Sequence, residues 1–229
     1  MSAPVPLAER LWAVEGARVR WRMGVPMPLR TVVARLGDGA LWVHAPGPLT
    51  PELHGWLAGQ GRVAHLVLPA APVLPRLDDW HAAVPEARLW RGEGLSEAPW
   101  RREIRPFSLR HGDGYEHVFC HLPSRSAILS RLVIAVETAP LPAWARPLVW
   151  LAGIDDSDGK PPPGLAAALG GRAALGDLVE ALLDWGPERL ILTHGRLYAR
   201  DAPGELSRAM RRIMRDRLWD RVLSEARRG

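Results

Sequence analysis

The segment Thr31-Val32-Val33-Ala34-Arg35-Leu36, the turn Gly37-Asp38-Gly39 and the run Leu41-Trp42-Val43-His44 read together as a β-hairpin. β-Branched and aromatic residues suit an extended, half-buried chain, and glycines flanking an aspartate supply the backbone freedom of a tight reversal. Thr50-Pro51-Glu52 then provides an N-cap, a proline for the first turn and an early acid, which predicts a helix from about Pro51 to Ala58, ended by Gly59 and Gly61. His65 to Leu68 reads as a buried strand, Arg76 to Ala83 as a short helix and Arg88 to Trp90 as a strand. Strand, helix, strand, helix, strand in this order predicts parallel neighbours joined by crossover helices.

Outward from this core the chain stays mixed. Leu11 to Glu15 and Val19 to Met23 read as short strands, as do Arg102 to Leu109, Glu116 to His121 and Ala127 to Val136, with Gly112-Asp113-Gly114 turning the first pair of the later three. Asp155 to Pro163 has the composition of an exposed loop. A helix is expected over Leu175 to Trp185, then a strand from Leu190 to Thr193 running into His194-Gly195. A last amphipathic helix from about Pro203 to Arg227 places Leu206, Met210, Ile213, Met214, Leu218 and Val222 on one face, to pack against the rest of the chain or a second copy in a homodimer.

The chain has 229 residues, 47% of them apolar, which suits one domain spanning residues 1–229 with its own core. The richest apolar stretch, Ile128 to Leu151, is broken by Arg131, Glu137, prolines and Arg146, so no membrane span is expected. A signal-peptide pattern is absent and Cys120 is the one cysteine, which together point to the cytoplasm. The net charge of +5 comes almost wholly from arginine, Lys160 being the single lysine. Arg101, Arg102 and Arg105 form one basic cluster, and the run from Arg208 to Arg228 is interleaved with Asp216, Asp220 and Glu225, the pattern of a solvated helix face more than of a nucleic-acid surface.

Read in order, Thr31 to Leu36, Leu41-Trp42-Val43-His44-Ala45-Pro46, Leu49 to Leu53, His65 to Pro69, Asp79-Trp80, Pro85 to Arg88, His121-Leu122-Pro123-Ser124-Arg125-Ser126 and Leu192-Thr193-His194-Gly195 resemble an uncharacterised bacterial branch of the metallo-β-lactamase superfamily. The resemblance covers most of residues 11–195. It implies an α/β fold, the αββα sandwich, with a site at the loop ends along one edge of its two sheets.

In catalytic members of that superfamily a histidine- and aspartate-rich loop after the strand equivalent to His65–Leu68 holds one or two metals, because zinc chemistry needs three or four convergent ligands and an open position. Here that loop runs from Pro69 to Asp79 without a histidine, and the asparagine and histidine of the related branch correspond to Ala70 and a residue near Leu74. The bridging aspartate expected after Ala127-Ile128-Leu129-Ser130 corresponds to Arg131, a cation that repels a metal ion. His194 is the one ligand position that survives. The resemblance therefore implies a remnant pocket of His194, Arg131, Ser130, Asp78 and Asp79.

Other candidates have plainer readings. Asp78 and Asp79 are favoured in a helix's first turn by its dipole. His44, His65 and His117 fall in or beside strands, where packed imidazoles are common, and His81 has no partner at ligand spacing. Cys120 and His121 point to opposite faces of a strand, so a buried structural thiol is the expectation. Ser124-Arg125-Ser126 suits either an anion or an ordinary strand-entry turn. The expectation is a pseudoenzyme without a cofactor that binds a small anionic ligand or a protein partner. Its rivals are a metal-dependent hydrolase with a rebuilt mononuclear zinc or iron site, and a weak nucleic-acid or anionic-surface binder.

Overall fold

The computed structural model describes residues 3–69, 77–111, 114–157, 159–162, 164–165 and 172–226. Ala70 and Leu74 lie outside the described residues, as does the Gly112-Asp113 part of the expected turn. Six strands form the first sheet in sequence order: β1 (Val5–Ala8), β2 (Leu11–Arg20), β3 (Pro26–Arg35), β4 (Leu41–His44), β5 (Val63–Val67) and β6 (Arg88–Trp90). The expected hairpin is present as the antiparallel pair β3 and β4, register Val32 opposite His44 to Arg35 opposite Leu41. β4, β5 and β6 are parallel, joined by α1 (Pro51–Gln60) and α2 (Leu77–Ala83) as crossovers. Thr50 caps α1, its hydroxyl accepting from the Leu53 amide at 3.3 Å. Gly61 ends the helix at a backbone approach to Gly39 that leaves no room for a Cβ.

The second sheet has the order β11-β10-β9-β8-β7, with β7 (Ile104–His111), β8 (Gly114–His121), β9 (Ser126–Leu129), β10 (Arg189–Leu192) and β11 (Leu197–Tyr198). β9 and β10 run parallel and the other pairs antiparallel. Among the described residues four further α-helices follow, α3 (Arg146–Ala152), α4 (Arg172–Trp185), α5 (Ala202–Ala209) and α6 (Arg211–Ala226).

Strand alternation sorts the side chains into three packing layers. Leu41, Val43 and Leu66 pack under α1 and α2 with Leu53, Leu57 and Trp80. Val32, Trp42, Trp90, Trp100, Phe119, Ile128 and Ile191 fill the space between the sheets. Val118, Cys120, Leu129 and Leu192 pack on the other side against Leu178, Leu182, Leu206, Met210 and Ile213 of α4, α5 and α6. Helices thus cover both outer faces of two stacked sheets, an αββα sandwich.

Several boundaries differ from the sequence reading. The strands expected at Leu11–Glu15 and Val19–Met23 are one strand, β2, carried past an irregularity between Val14 and Ala17, and Met23 lies instead in a turn at φ 54. The expected strand Ala127–Val136 stops at Leu129, its remainder making only isolated bridges to Lys160, Gly195 and Asp155. The last helix is two helices broken at Met210. Leu206, Met210 and Ile213 are buried, whereas Leu218 is 62% exposed, so the apolar stripe leaves the core before its far end. No helix among the described residues is long and apolar enough to cross a membrane.

Candidate functional site

β9 and β10 end at Leu129 and Leu192, and the chain just beyond them carries Ser130-Arg131 and Thr193-His194. His194 Nδ1 donates to the Pro28 carbonyl at 2.8 Å, which fixes the ring's tautomer and leaves Nε2 with its lone pair. The local backbone makes this placement obligatory. Ala135 N donates to His194 O and Arg196 N to Ala135 O, and a Cβ on Gly195, at φ +132, would strike the Ala135 backbone. Glycine after His194 is a packing requirement.

Three imidazoles share this region. His44, at the end of β4, is fully buried, stacked on Trp42 at 5.5 Å and edge-on to Phe119 at 5.2 Å. Neither of its ring nitrogens has a partner among the described residues. Burial first, then the proximity of His194 and His117, depresses its pKa to about 3. His117 is bonded through Nδ1 to Ser108 Oγ at 2.8 Å, and its buried Nε2 has no partner among the described residues. Burial lowers its pKa to about 4, and its backbone N–H holds the Pro69 carbonyl at 2.9 Å. His194 is held below its ordinary value mainly by burial, with the Arg131 and Arg30 guanidiniums acting in the same sense against the Pro28 bond. Thr193 Oγ1 is a further buried polar atom without a partner among the described residues.

Arg131 is fastened to the buried Glu116. Its backbone N–H donates to Oε1 at 2.7 Å and its Nε to Oε2 at 2.9 Å. Burial raises the Glu116 pKa, with Arg131 opposing that rise. Arg30, almost wholly buried, bonds Glu15 and the Leu192 carbonyl, and its own N–H donates to Thr193 O at 2.8 Å.

His194, Arg131 and the buried Ser130 are therefore gathered at one end of the sandwich. Asp78 and Asp79 are exposed in the first turn of α2, where Trp80 is the buried residue, its indole N–H on the Gly47 carbonyl at 2.7 Å. Glu116 and Arg30 are the site residues that the sequence reading does not single out. Their partners lie 15 or more positions away, so no local pattern marks them. His44 and His117, read as packed imidazoles, are packed, but with nitrogens left open toward the same region. Among the described residues no group of three or more His, Cys, Asp or Glu side chains is arranged to hold a metal ion, and Glu116, the buried carboxylate at this end, is engaged by Arg131.

No family model matches the sequence, and no curated protein matches it. Solved structures do match over nearly the whole chain. A fragment of a putative diflavin flavoprotein from Nostoc sp. PCC 7120 superposes with a TM-score of 0.56 at 11% identity, covering 96% of this chain and 97% of that one. A metallo-β-lactamase from Erythrobacter litoralis gives 0.52 at 12% identity over 92% and 89%, and one from Hirschia baltica 0.56 at 9% over 90% and 95%. The chain has the metallo-β-lactamase fold. At these identities the likeness concerns the fold alone, and within that fold this chain sets His44 at the end of β4, Arg131 and His194 just beyond β9 and β10, and Glu116 and His117 within β8.

Proposed function

We propose that this chain is a non-hydrolytic binding protein on the metallo-β-lactamase fold, taking a small anionic ligand at the end of the sandwich that carries His194 and Arg131. The observation that supports this is the Arg131–Glu116 pair. A guanidinium stands where the resemblance places a bridging carboxylate, and the buried carboxylate that could reach it is already bonded to it by two N–H groups. Neutral His44, His117 and Thr193 offer a ligand unpaired buried hydrogen-bonding atoms, which cost free energy while they stay unpaired. A planar guanidinium beside them suits a carboxylate or phosphate better than a cation.

A second reading keeps one favourable observation. An imidazole that donates Nδ1–H to a carbonyl and presents a bare Nε2 is arranged as metal-binding histidines are, so a mononuclear hydrolase could be built on His194. Calorimetric titration of zinc into protein purified without chelator separates the two. The binding-protein reading expects no stoichiometric zinc and no tight isotherm. One-to-one binding abolished by His194→Ala overturns it in favour of the hydrolase.

A further inference from the structure

The space between the sheets has two ends, and strand alternation makes both of them polar. On β8 the residues facing Phe119's side are His117 and His121, two positions to either side of it. On β9 Ser126 lies two before Ile128, and on β10 Arg189 lies two before Ile191. His117 and Thr193 end the layer at the side that carries His194 and Arg131. His121, Ser126 and Arg189 end it at the opposite side, where β9 and β10 begin. There a cleft of about 530 Å³ opens, with Arg10, Arg35, Arg125, Arg189, His121 and Ser124 in its walls.

The wall is built rather than incidental. Arg125 sits at φ 47 with its guanidinium on the last carbonyls of α4, Trp185 at 3.0 Å and Gly186 at 2.6 Å. Arg189 is held on the Ser124 carbonyl at 2.9 Å. Of the three carboxylates in the cleft, Glu103 accepts the Gly37 amide with both oxygens at 3.0 Å, and Glu188 lies 3.6 Å from both Arg125 and Arg189. Glu9 reaches Arg10 only at 3.7 Å. Four guanidiniums thus face three carboxylates, and the Arg35 guanidinium has no partner among the described residues.

Behind the arginines runs a chain of neutral hydrogen-bonding groups. His121 Nδ1 is 2.7 Å from Ser124 Oγ, which is 2.8 Å from Ser126 Oγ. His121 and Ser126 are buried, and burial lowers the His121 pKa to about 4, so the ring is neutral near pH 7. With the imidazole proton on Nδ1, Ser124 Oγ accepts from His121 Nδ1–H and from Ser126 Oγ–H, and its own proton is left for a ligand in the cleft. Guanidiniums that fork around two oxygens, beside a hydroxyl donor, are the groups that hold a phosphoryl group.

We propose that this cleft binds a phosphorylated small molecule through Arg35, Arg10, Arg189 and the Ser124 hydroxyl, at the end of the sandwich away from His194. Its volume is in the range of sites that enclose a whole small ligand, not a bare ion.

The test is calorimetric titration of inorganic phosphate and of glucose 6-phosphate at about 150 mM salt, where long-range attraction between exposed charges is screened. Both should bind, the ester at least as tightly as the ion. Arg35→Gln and Ser124→Ala should each weaken binding by about tenfold or more, as expected for loss of a hydrogen bond to a charged group. Arg91→Gln, an exposed arginine outside the cleft, should leave it unchanged. The Arg35 side chain is exposed and bonds no other side chain among the described residues, and a melting curve for each variant shows that it is folded. The proposal is overturned if neither probe binds, if only inorganic phosphate binds, or if Arg91→Gln weakens binding as much as Arg35→Gln does.

Discussion

Each imidazole sealed between the sheets is also a statement about acid stability. His44, His117 and His121 have an ordinary pKa of 6.5, lowered by burial to about 3, about 4 and about 4. The unfolded chain binds their protons as pH drops through 6.5, whereas the folded chain takes them up only near 4 and below. Stability is therefore full above 6.5 and is lost as pH falls toward 4. Each group costs about 1.4 kcal/mol per pH unit in that window, or roughly 2 kcal/mol at pH 5. Glu116 acts in the opposite sense: its pKa is raised, so it favours the folded state as the pH falls, but it is one group against three. Urea titrations at pH 7.5 and pH 5 should show a midpoint markedly lower at pH 5. Equal midpoints would mean that the three rings titrate as they do in water. For a domain stable by about 5–15 kcal/mol, the expected loss is a large fraction of the whole.

At the scale of elements, α5 and α6 divide into a packed half and a solvated one. Leu206 and Met210 are fully buried against α4, and Arg217 fastens the first half of α6 to the same helix through Glu180 at 3.0 and 2.9 Å, the Ala173 carbonyl at 2.9 Å and Asp177. Beyond it Leu218 and Trp219 are 62% and 61% exposed. Leu206→Ala should cost about 2–5 kcal/mol, and Leu218→Ala less than about 0.5 kcal/mol, by thermal or urea unfolding. Equal effects would mean that the outer half is also docked. The same break explains what the sequence conceals. A heptad-like spacing from Leu206 to Val222 reads as one stripe only if the helix is continuous, and Met210, at φ −99 and ψ 6, resets the phase. Short elements are also illegible, since the two residues of β11 carry no period. The central hairpin and the parallel crossovers are legible because β-branched runs, an N-cap and paired glycines each point to the same structure. The site is legible only in part. His194 and Arg131 follow from their place after strands, whereas Glu116 and Arg30 act through partners distant in sequence.

At the scale of the molecule, the two sheets are tied by more than the aromatic layer of Trp42, Trp90, Trp100 and Phe119. Arg30 of β3 reaches across to Leu192 and Thr193 beyond β10, and His194 returns the contact to Pro28. At the other side Glu103 before β7 bonds the Gly37 turn of the first sheet. Polar ties at both ends of an apolar layer leave neither sheet a surface on which it can stand alone, because separating them exposes the indoles and strands buried donors together. The whole chain is expected to unfold as one unit. Tryptophan fluorescence, which reports indoles both between the sheets (Trp42, Trp90 and Trp100) and under α1 and α2 (Trp80), and far-ultraviolet circular dichroism, which reports the helices on the outer faces, should give superimposable urea transitions. Helical signal persisting after the fluorescence change would mean that one helix-covered sheet survives without the other, and that the domain spanning 1–229 is two cooperative units. Arg30→Met tests the tie itself. It removes the bond to Leu192 and leaves Glu15 without that cation, so it should lower the common midpoint while keeping the two probes coincident. A variant in which the probes separate would show that the tie, not the aromatic layer, makes the two sheets one unit.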